Sequence, residues 1–92
     1  MALTMSDLFV IEEGRAALIT AGACSALVAA LRITEDDTTR SDIALTMSHF
    51  AKIEEGRAAL IAAGACGALA DALRISEIDA TRGNIALTIN LL

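Results

Sequence analysis

The residues of this chain that could take part in chemistry are one histidine, His49, and two pairs of adjacent glutamates. Nucleophilic catalysis needs a base within hydrogen-bond reach of a serine or cysteine, and no partner pattern repeats around His49. The pairs Glu12-Glu13 and Glu54-Glu55 are poor candidates for paired carboxylates, because adjacent helical residues point about 100° apart. They suit the start of a helix, where the macrodipole favours negative charge. We therefore predict that the protein is not an enzyme and has no catalytic residues.

The two cysteines, Cys24 and Cys66, lie 42 residues apart and form neither a CxxC metal motif nor a disulfide framework. A free cysteine behaves as a small hydrophobic residue. We expect both thiols to lie in the core. We also expect the protein to be intracellular, in the cytoplasm, with the nucleus as an alternative location. The sequence has no glycine-rich phosphate loop and no metal-ligand spacing, so it predicts no metal and no cofactor.

The composition argues against nucleic acid and membrane as partners. The net charge is −5, and the only aromatic residues are Phe9 and Phe50. Residues Ala16 to Leu31 carry no charge, but these 16 residues are fewer than the roughly 20 that a bilayer span needs. We expect two short buried helices there, with a membrane-interacting helical hairpin as an alternative class.

These residues are positioned by an internal repeat. When residues 1–42 are laid over residues 43–84 without gaps, 28 of 42 positions are identical, and a third copy begins at Ile85. Identical apolar pairs such as Leu18 and Leu60 are what a shared core requires. A repeat of this length is typical of a solenoid, in which stacked units bury a continuous core.

The pattern within one unit is helical, since Ile43, Met47 and Phe50 fall along one stripe of a helix. The segments Thr34-x-x-Asp37 and Ser76-x-x-Asp79 have the form of capping boxes that start a longer helix.

Glycines predict where the helices break, because glycine tolerates the left-handed conformation that ends helices. We expect a junction at Gly14 and at Gly56, and a second break at Gly22 and at Gly64. In the second copy the predicted helices lie near 57–63, 65–75 and 79–92.

The segment AGACGALADAL at 63–73 resembles the AGALPALVELL segment of the armadillo-repeat family, and ALTMSHFA at 44–51 is similar to that family's AWALSNLA. The resemblance covers the whole chain. It implies an all-α superhelix, an armadillo-like solenoid, with three helices in each 42-residue repeat. Residues 1–11 would end a third helix, 12–52 would form one full unit, and 53–92 would form a second unit truncated in its third helix.

The resemblance also implies a concave groove for extended peptides, lined by the third helices. In the family an Asn on each third helix clamps the peptide backbone and a Trp forms side-chain pockets. Here the matching positions hold other residues, which form the candidate groove: Leu3, Asp7, Leu45, His49, Leu87 and Leu91.

Solenoids normally need about three repeats and polar caps at both ends. This chain opens and closes on apolar residues, and large exposed apolar patches mark interaction sites. We predict self-association by a symmetric dimer, a helix swap or head-to-tail stacking. The residues expected at these ends are Met1, Leu3, Met5, Ile85, Ile89 and Leu92.

The function that these patterns favour is a non-enzymatic scaffold for protein–protein interaction, whose partner is the chain itself or another protein or peptide. The alternative is an excised or engineered repeat segment that only folds and oligomerises. Three arginine pairs also recur with the repeat, and we expect them to satisfy helix C-termini or carboxylates more than to recognise acidic peptides. These pairs are Arg15 with Arg57, Arg32 with Arg74, and Arg40 with Arg82.

Overall fold

The fold is entirely helical in the part of the chain that the structure describes. This computed structural model describes the backbone of residues 5–92 and the side chains of residues 16–92. Residues 5–92 contain no strand, so the prediction of an all-α protein is confirmed. The helices are α1 (Met5–Ile33), α2 (Asp37–Ala51), α3 (Glu54–Ala62), α4 (Ala65–Ile75) and α5 (Asp79–Leu91).

Helix α2 begins after Asp36, which is its N-cap. The Asp36 carboxylate accepts hydrogen bonds from the backbone N–H of Thr39 at 3.2 Å and from its hydroxyl at 2.7 Å. The capping-box prediction gave this role to Thr34, and it is wrong. Asp36 takes the role because it directly precedes the first helical residue and so reaches the third N–H of the helix. In the second copy, the N-cap Ile78 makes no side-chain bond at the start of α5.

The junction between α2 and α3 lies at Lys52 and Ile53, earlier than predicted, and Gly56 is inside α3. Gly56 is required there for a different reason from the predicted one. A Cβ at this position would overlap the carbonyl group of Phe50 at the end of α2. Glycine therefore lets α3 approach the end of α2 closely.

The predicted break at Gly64 is confirmed. Gly64 has a φ of 84°, in the left-handed region, and it is the N-cap of α4. The axes of α3 and α4 bend by 75° at this point.

The predicted breaks at Gly14 and Gly22 are wrong, because α1 runs through both positions as one helix of 29 residues. Residues 16 to 19 of α1 are exposed, so these side chains make no packing that would stabilise a bend. A bend would leave backbone N–H and C=O groups without their helical partners and would bury nothing in return. The two copies of the repeat therefore differ in conformation here.

Helices α2 and α5 run parallel and pack side by side. The residues that meet across this pair are about one repeat apart in the sequence. The amide of Asn84 donates to the hydroxyl of Ser41 at 2.8 Å, and the hydroxyl of Thr88 lies 2.8 Å from the carbonyl oxygen of Ala44. Helix α1 packs on α3 and α4. The core between these layers consists of Cys24, Val28, Leu31, Ile43, Ala44, Met47, Ala51, Leu60, Ala65, Ala68, Leu69, Ala72 and Ile85.

Candidate functional site

The described residues of the predicted groove lie on one side of the α2–α5 pair. Leu45 and Leu87 occupy equivalent positions on the two parallel helices and are 43% and 49% exposed. His49 is exposed one turn beyond Leu45, whereas Leu91 is half-buried and packs against the core. Leu3 and the side chain of Asp7 lie outside the described residues. The structure thus brings together two exposed leucines and one histidine, without the amide groups that would hold a peptide backbone.

The predicted apolar end at the C-terminus is largely covered by the chain itself. Ile85 is fully buried under α2, while Ile89 and Leu92 are half-buried and pack against the core. Ile85 therefore cannot serve as an exposed contact residue. Met1, Leu3 and the side chain of Met5 lie outside the described residues.

Exposed apolar side chains also occur outside the predicted groove and ends. Leu18 is 75% exposed, although its counterpart Leu60 is fully buried. The prediction that both leucines lie in a shared core is confirmed for Leu60 and wrong for Leu18. The repeat itself carries no signal for this difference, because the two residues are identical and only their neighbours differ. The other large exposed hydrophobic residues on α1, α3, α4 and their connections are Ile19, Ile33, Ile53, Ile61, Ile75 and Ile78.

The two cysteines also differ in environment. Cys24 is fully buried, its Sγ lies 3.9 Å from the carbonyl oxygen of Gly56, and desolvation by burial raises the pKa of its thiol. Cys66 is exposed, so the prediction of two core cysteines is wrong for this one. The reason is that α3 covers the Cys24 side of α1, whereas no helix among residues 5–92 covers the Cys66 side of α4.

A polar depression lies where the α1–α2 and α4–α5 connections meet. Asp37 stands at its centre and accepts hydrogen bonds from the backbone N–H groups of Ile78 at 2.9 Å and Glu77 at 3.3 Å. These amides, above all that of Ile78, lower the pKa of the Asp37 carboxyl, and Arg40 also donates to it at 3.2 Å. Its charge is therefore satisfied within the fold, which makes Asp37 a structural link between the repeats rather than a general acid or base.

A second acidic group beside this depression is also occupied. The hydrogen bonds from Thr39 to Asp36 lower the pKa of the Asp36 carboxyl. Both carboxylates therefore stabilise the starts of helices.

The described arginines bind helix ends and carboxylates, as the sequence analysis expected. Arg82 donates to the carbonyl oxygen of Leu73 at 2.6 Å and to that of Ser76 at 3.0 Å, at the end of α4. Arg40 is buried and donates to the carbonyl oxygen of Thr34 at 3.1 Å. Arg57 donates to that of Ala51 at 3.2 Å.

Two further features of the described residues concern metal binding and membrane spanning. No group of three or more His, Cys, Asp or Glu side chains there has the geometry to hold a metal ion. One window of α1, Ala16–Ile33, has the length and hydropathy of a membrane span, and only 17% of it is buried within the protein. That window extends past the uncharged stretch and includes Arg32.

Comparisons of the chain with family models, with curated proteins and with solved structures give no match.

Proposed function

We propose that the protein is a non-enzymatic helical-repeat scaffold, armadillo-like in its stacking, that acts through protein–protein contacts and first of all through contacts with further copies of itself. The observation that carries this proposal is the exposure of Leu18 beside the complete burial of Leu60. The same residue at the same position of the repeat is buried where another unit covers it and open to water where none does.

The contacts between the two copies support the stacking. Asp37 and Ala44 of the first unit (residues 12–52) bind residues that lie 40 to 44 positions later in the chain. These hydrogen bonds join residues that are about one repeat apart in the sequence. In a solenoid, each unit needs the neighbouring unit to bury its apolar interior.

The test is sedimentation velocity on the full chain in buffer without detergent, across a range of concentrations, with circular dichroism as a check on folding. The proposal predicts a soluble helical protein whose sedimentation coefficient rises with concentration. A helical protein that stays monomeric throughout would contradict the self-association, both in the scaffold and in the alternative of a repeat segment that only folds and oligomerises.

A membrane-associated helix is the second candidate, favoured by the apolar window Ala16–Ile33 of α1. Flotation of the chain with lipid vesicles separates the two. The scaffold proposal predicts no co-flotation and an intracellular soluble protein, whereas a chain recovered with the vesicles and insoluble without them would support the membrane candidate.

A further inference from the structure

The internal junction between the two copies has two sides, and both sides recur elsewhere on the molecule. In the first unit, residues 12–52, Cys24, Val28 and Ala44 are buried, and Cys24 contacts the second unit at Gly56. In the second unit, residues 53–92, Leu60, Thr81 and Thr88 are buried, and the two threonines donate to carbonyl oxygens of the first unit. Because the period is 42 residues, each of these residues has a counterpart in the other copy.

The counterparts of both sides are open to solvent. We call the first set the Cys66 face; its exposed members are Cys66, Ala70 and Ala86, which match Cys24, Val28 and Ala44. We call the second set the Leu18 face; its exposed members are Leu18, Thr39 and Thr46, which match Leu60, Thr81 and Thr88. One molecule thus displays both halves of a junction that it already forms inside itself.

We propose that a second copy of this chain docks head to tail, with the Cys66 face of one molecule on the Leu18 face of the next, and that α1 bends at Gly22 to form the contact. This inference rests on the proposed function, since it specifies how the self-association is made.

Some of the polar groups that form the internal junction recur on the two faces. Inside the chain, Asp37 binds the start of α5, the hydroxyl of Thr81 donates to its carbonyl oxygen at 3.1 Å, and Thr88 binds Ala44. In the docked pair, Asp79 stands at the position of Asp37, and its carbonyl oxygen can accept from Thr39 of the next molecule once that hydroxyl leaves Asp36. Thr46, which now donates only to the carbonyl of its own Asp42, stands at the position of Thr88.

Five substitutions make the contact between molecules weaker than the one inside the chain. Ala29 occupies the position of Asp71, so the ion pair that joins Arg32 to Asp71 at 3.5 Å has no counterpart, and this exposed pair is of small effect. Ala70 replaces Val28 and buries less apolar area.

The other three substitutions are polar. Gly83 and Asp42 occupy the positions of Ser41 and Asn84, so the hydrogen bond between those side chains has no counterpart. Asp36 occupies the position of Ile78, which places a second carboxylate beside Asp79 in the docked pair.

In the straight helix α1, the residues of the Leu18 face are not arranged as their counterparts are in the internal junction. Leu18 and Leu27 are nine residues apart in a continuous helix, so they point to opposite sides of it, about 180° apart. Their counterparts Leu60 and Leu69 are both fully buried because the chain bends by 75° at Gly64. The same bend at Gly22 would bring Leu18 and Leu27 to one side.

Gly22 is suited to this change. No atom beyond its chain neighbours and the adjacent turns of its own helix lies within 4 Å of the position of a Cβ there, and glycine adopts a left-handed φ without the strain of other residues. We assign the occupant of the Leu18 face as a second copy of this chain. That copy carries the Cys66 face, whose residues repeat, at the same 42-residue spacing, those on the first side of the internal junction.

The test compares Gly22→Ala with Thr20→Ala by sedimentation velocity. Alanine at 22 stabilises the straight helix and disfavours the left-handed conformation, so the proposal predicts an association constant lower by about tenfold or more. Thr20→Ala is the matched control, because alanine stands at the equivalent position 62 of the bent copy, and its association should be unchanged. Circular dichroism checks that both variants remain helical.

Labelling of the thiol of Cys66 reports the mode of docking. The proposal predicts that Cys66 reacts more slowly as protein concentration rises, while a reporter at exposed position 58 (Ala58→Cys with Cys66→Ala) reacts at a constant rate. Association with constant Cys66 labelling and an unaffected Gly22→Ala variant would overturn this docking mode and leave the proposed function standing. A chain that is monomeric at every concentration would overturn both.

Discussion

Asp37 connects the first repeat to the second by a charge that several hydrogen bonds stabilise. Its carboxylate accepts from the backbone N–H groups of Glu77 and Ile78, which lie at the start of α5 and would otherwise be unsatisfied. These bonds favour the charged form, so the pKa of Asp37 is lower in the folded protein than its ordinary value.

The stability of the protein should therefore fall in acid. A carboxyl whose pKa is lowered by folding stabilises the folded state above its ordinary pKa of about 3.9, and that contribution is lost as the pH drops through the folded value. We expect the free energy of unfolding in urea to decline from pH 5 downwards (about one unit above that ordinary value) more steeply for the wild type than for Asp37→Asn. Asp36 titrates in both proteins, so equal slopes would show that Asp37 does not link the repeats.

Gly56 is a residue whose small size is needed for packing. Replacing Gly56 by alanine should destabilise the protein by about 1–3 kcal/mol, because the added Cβ meets the fixed backbone carbonyl of Phe50. The control is Gly83→Ala in α5, where no atom lies within 4 Å of the new Cβ and where stability should rise by up to about 1 kcal/mol. Urea denaturation measures both, and similar effects of the two substitutions would refute the close approach of α3 to α2.

At the scale of the helices, the same sequence adopts two shapes. Gly22 lies within the continuous helix α1, whereas Gly64 has a left-handed φ between α3 and α4. Helices α3 and α4 both pack against α1, and that burial offsets the backbone hydrogen bonds lost at the bend. Residues 16 to 19 of α1 are exposed and give no such support at Gly22.

This difference predicts opposite effects of one substitution at equivalent positions. Gly22→Ala should stabilise the isolated chain by about 1 kcal/mol, since alanine replaces glycine inside a helix. Gly64→Ala should destabilise it by about 1–2 kcal/mol, because alanine at a φ of 84° is strained. Thermal unfolding at low protein concentration measures both, and a loss of stability in Gly22→Ala would mean that α1 is already bent in solution.

The helices show how far the sequence determines the fold. The all-α class, the repeat and the break at Gly64 follow from local pattern and glycine chemistry, and the sequence predicts them. The continuity of α1 could not be predicted, because Gly22 and Gly64 have nearly the same neighbours in sequence and differ in what packs around them. The burial of Ile85 and the exposure of Cys66 depend on tertiary packing in the same way.

At the scale of the whole molecule, the two copies contribute unequally to stability. Leu60 is fully buried and Leu18 is 75% exposed, although they are equivalent in sequence. Leu60→Ala should cost about 2–5 kcal/mol, as large-to-small changes in a core do. Leu18→Ala should change the stability of the monomer by no more than about 0.5 kcal/mol.

Leu18 should be exposed in one molecule and buried between two. Sedimentation velocity of the wild type and of Leu18→Asp gives the association constant that reports on this burial. We expect a wild type that associates with rising concentration and a Leu18→Asp variant that stays a folded monomer of about 9.5 kDa. Equal association of the two proteins, or a wild type that remains monomeric at every concentration, would contradict this expectation.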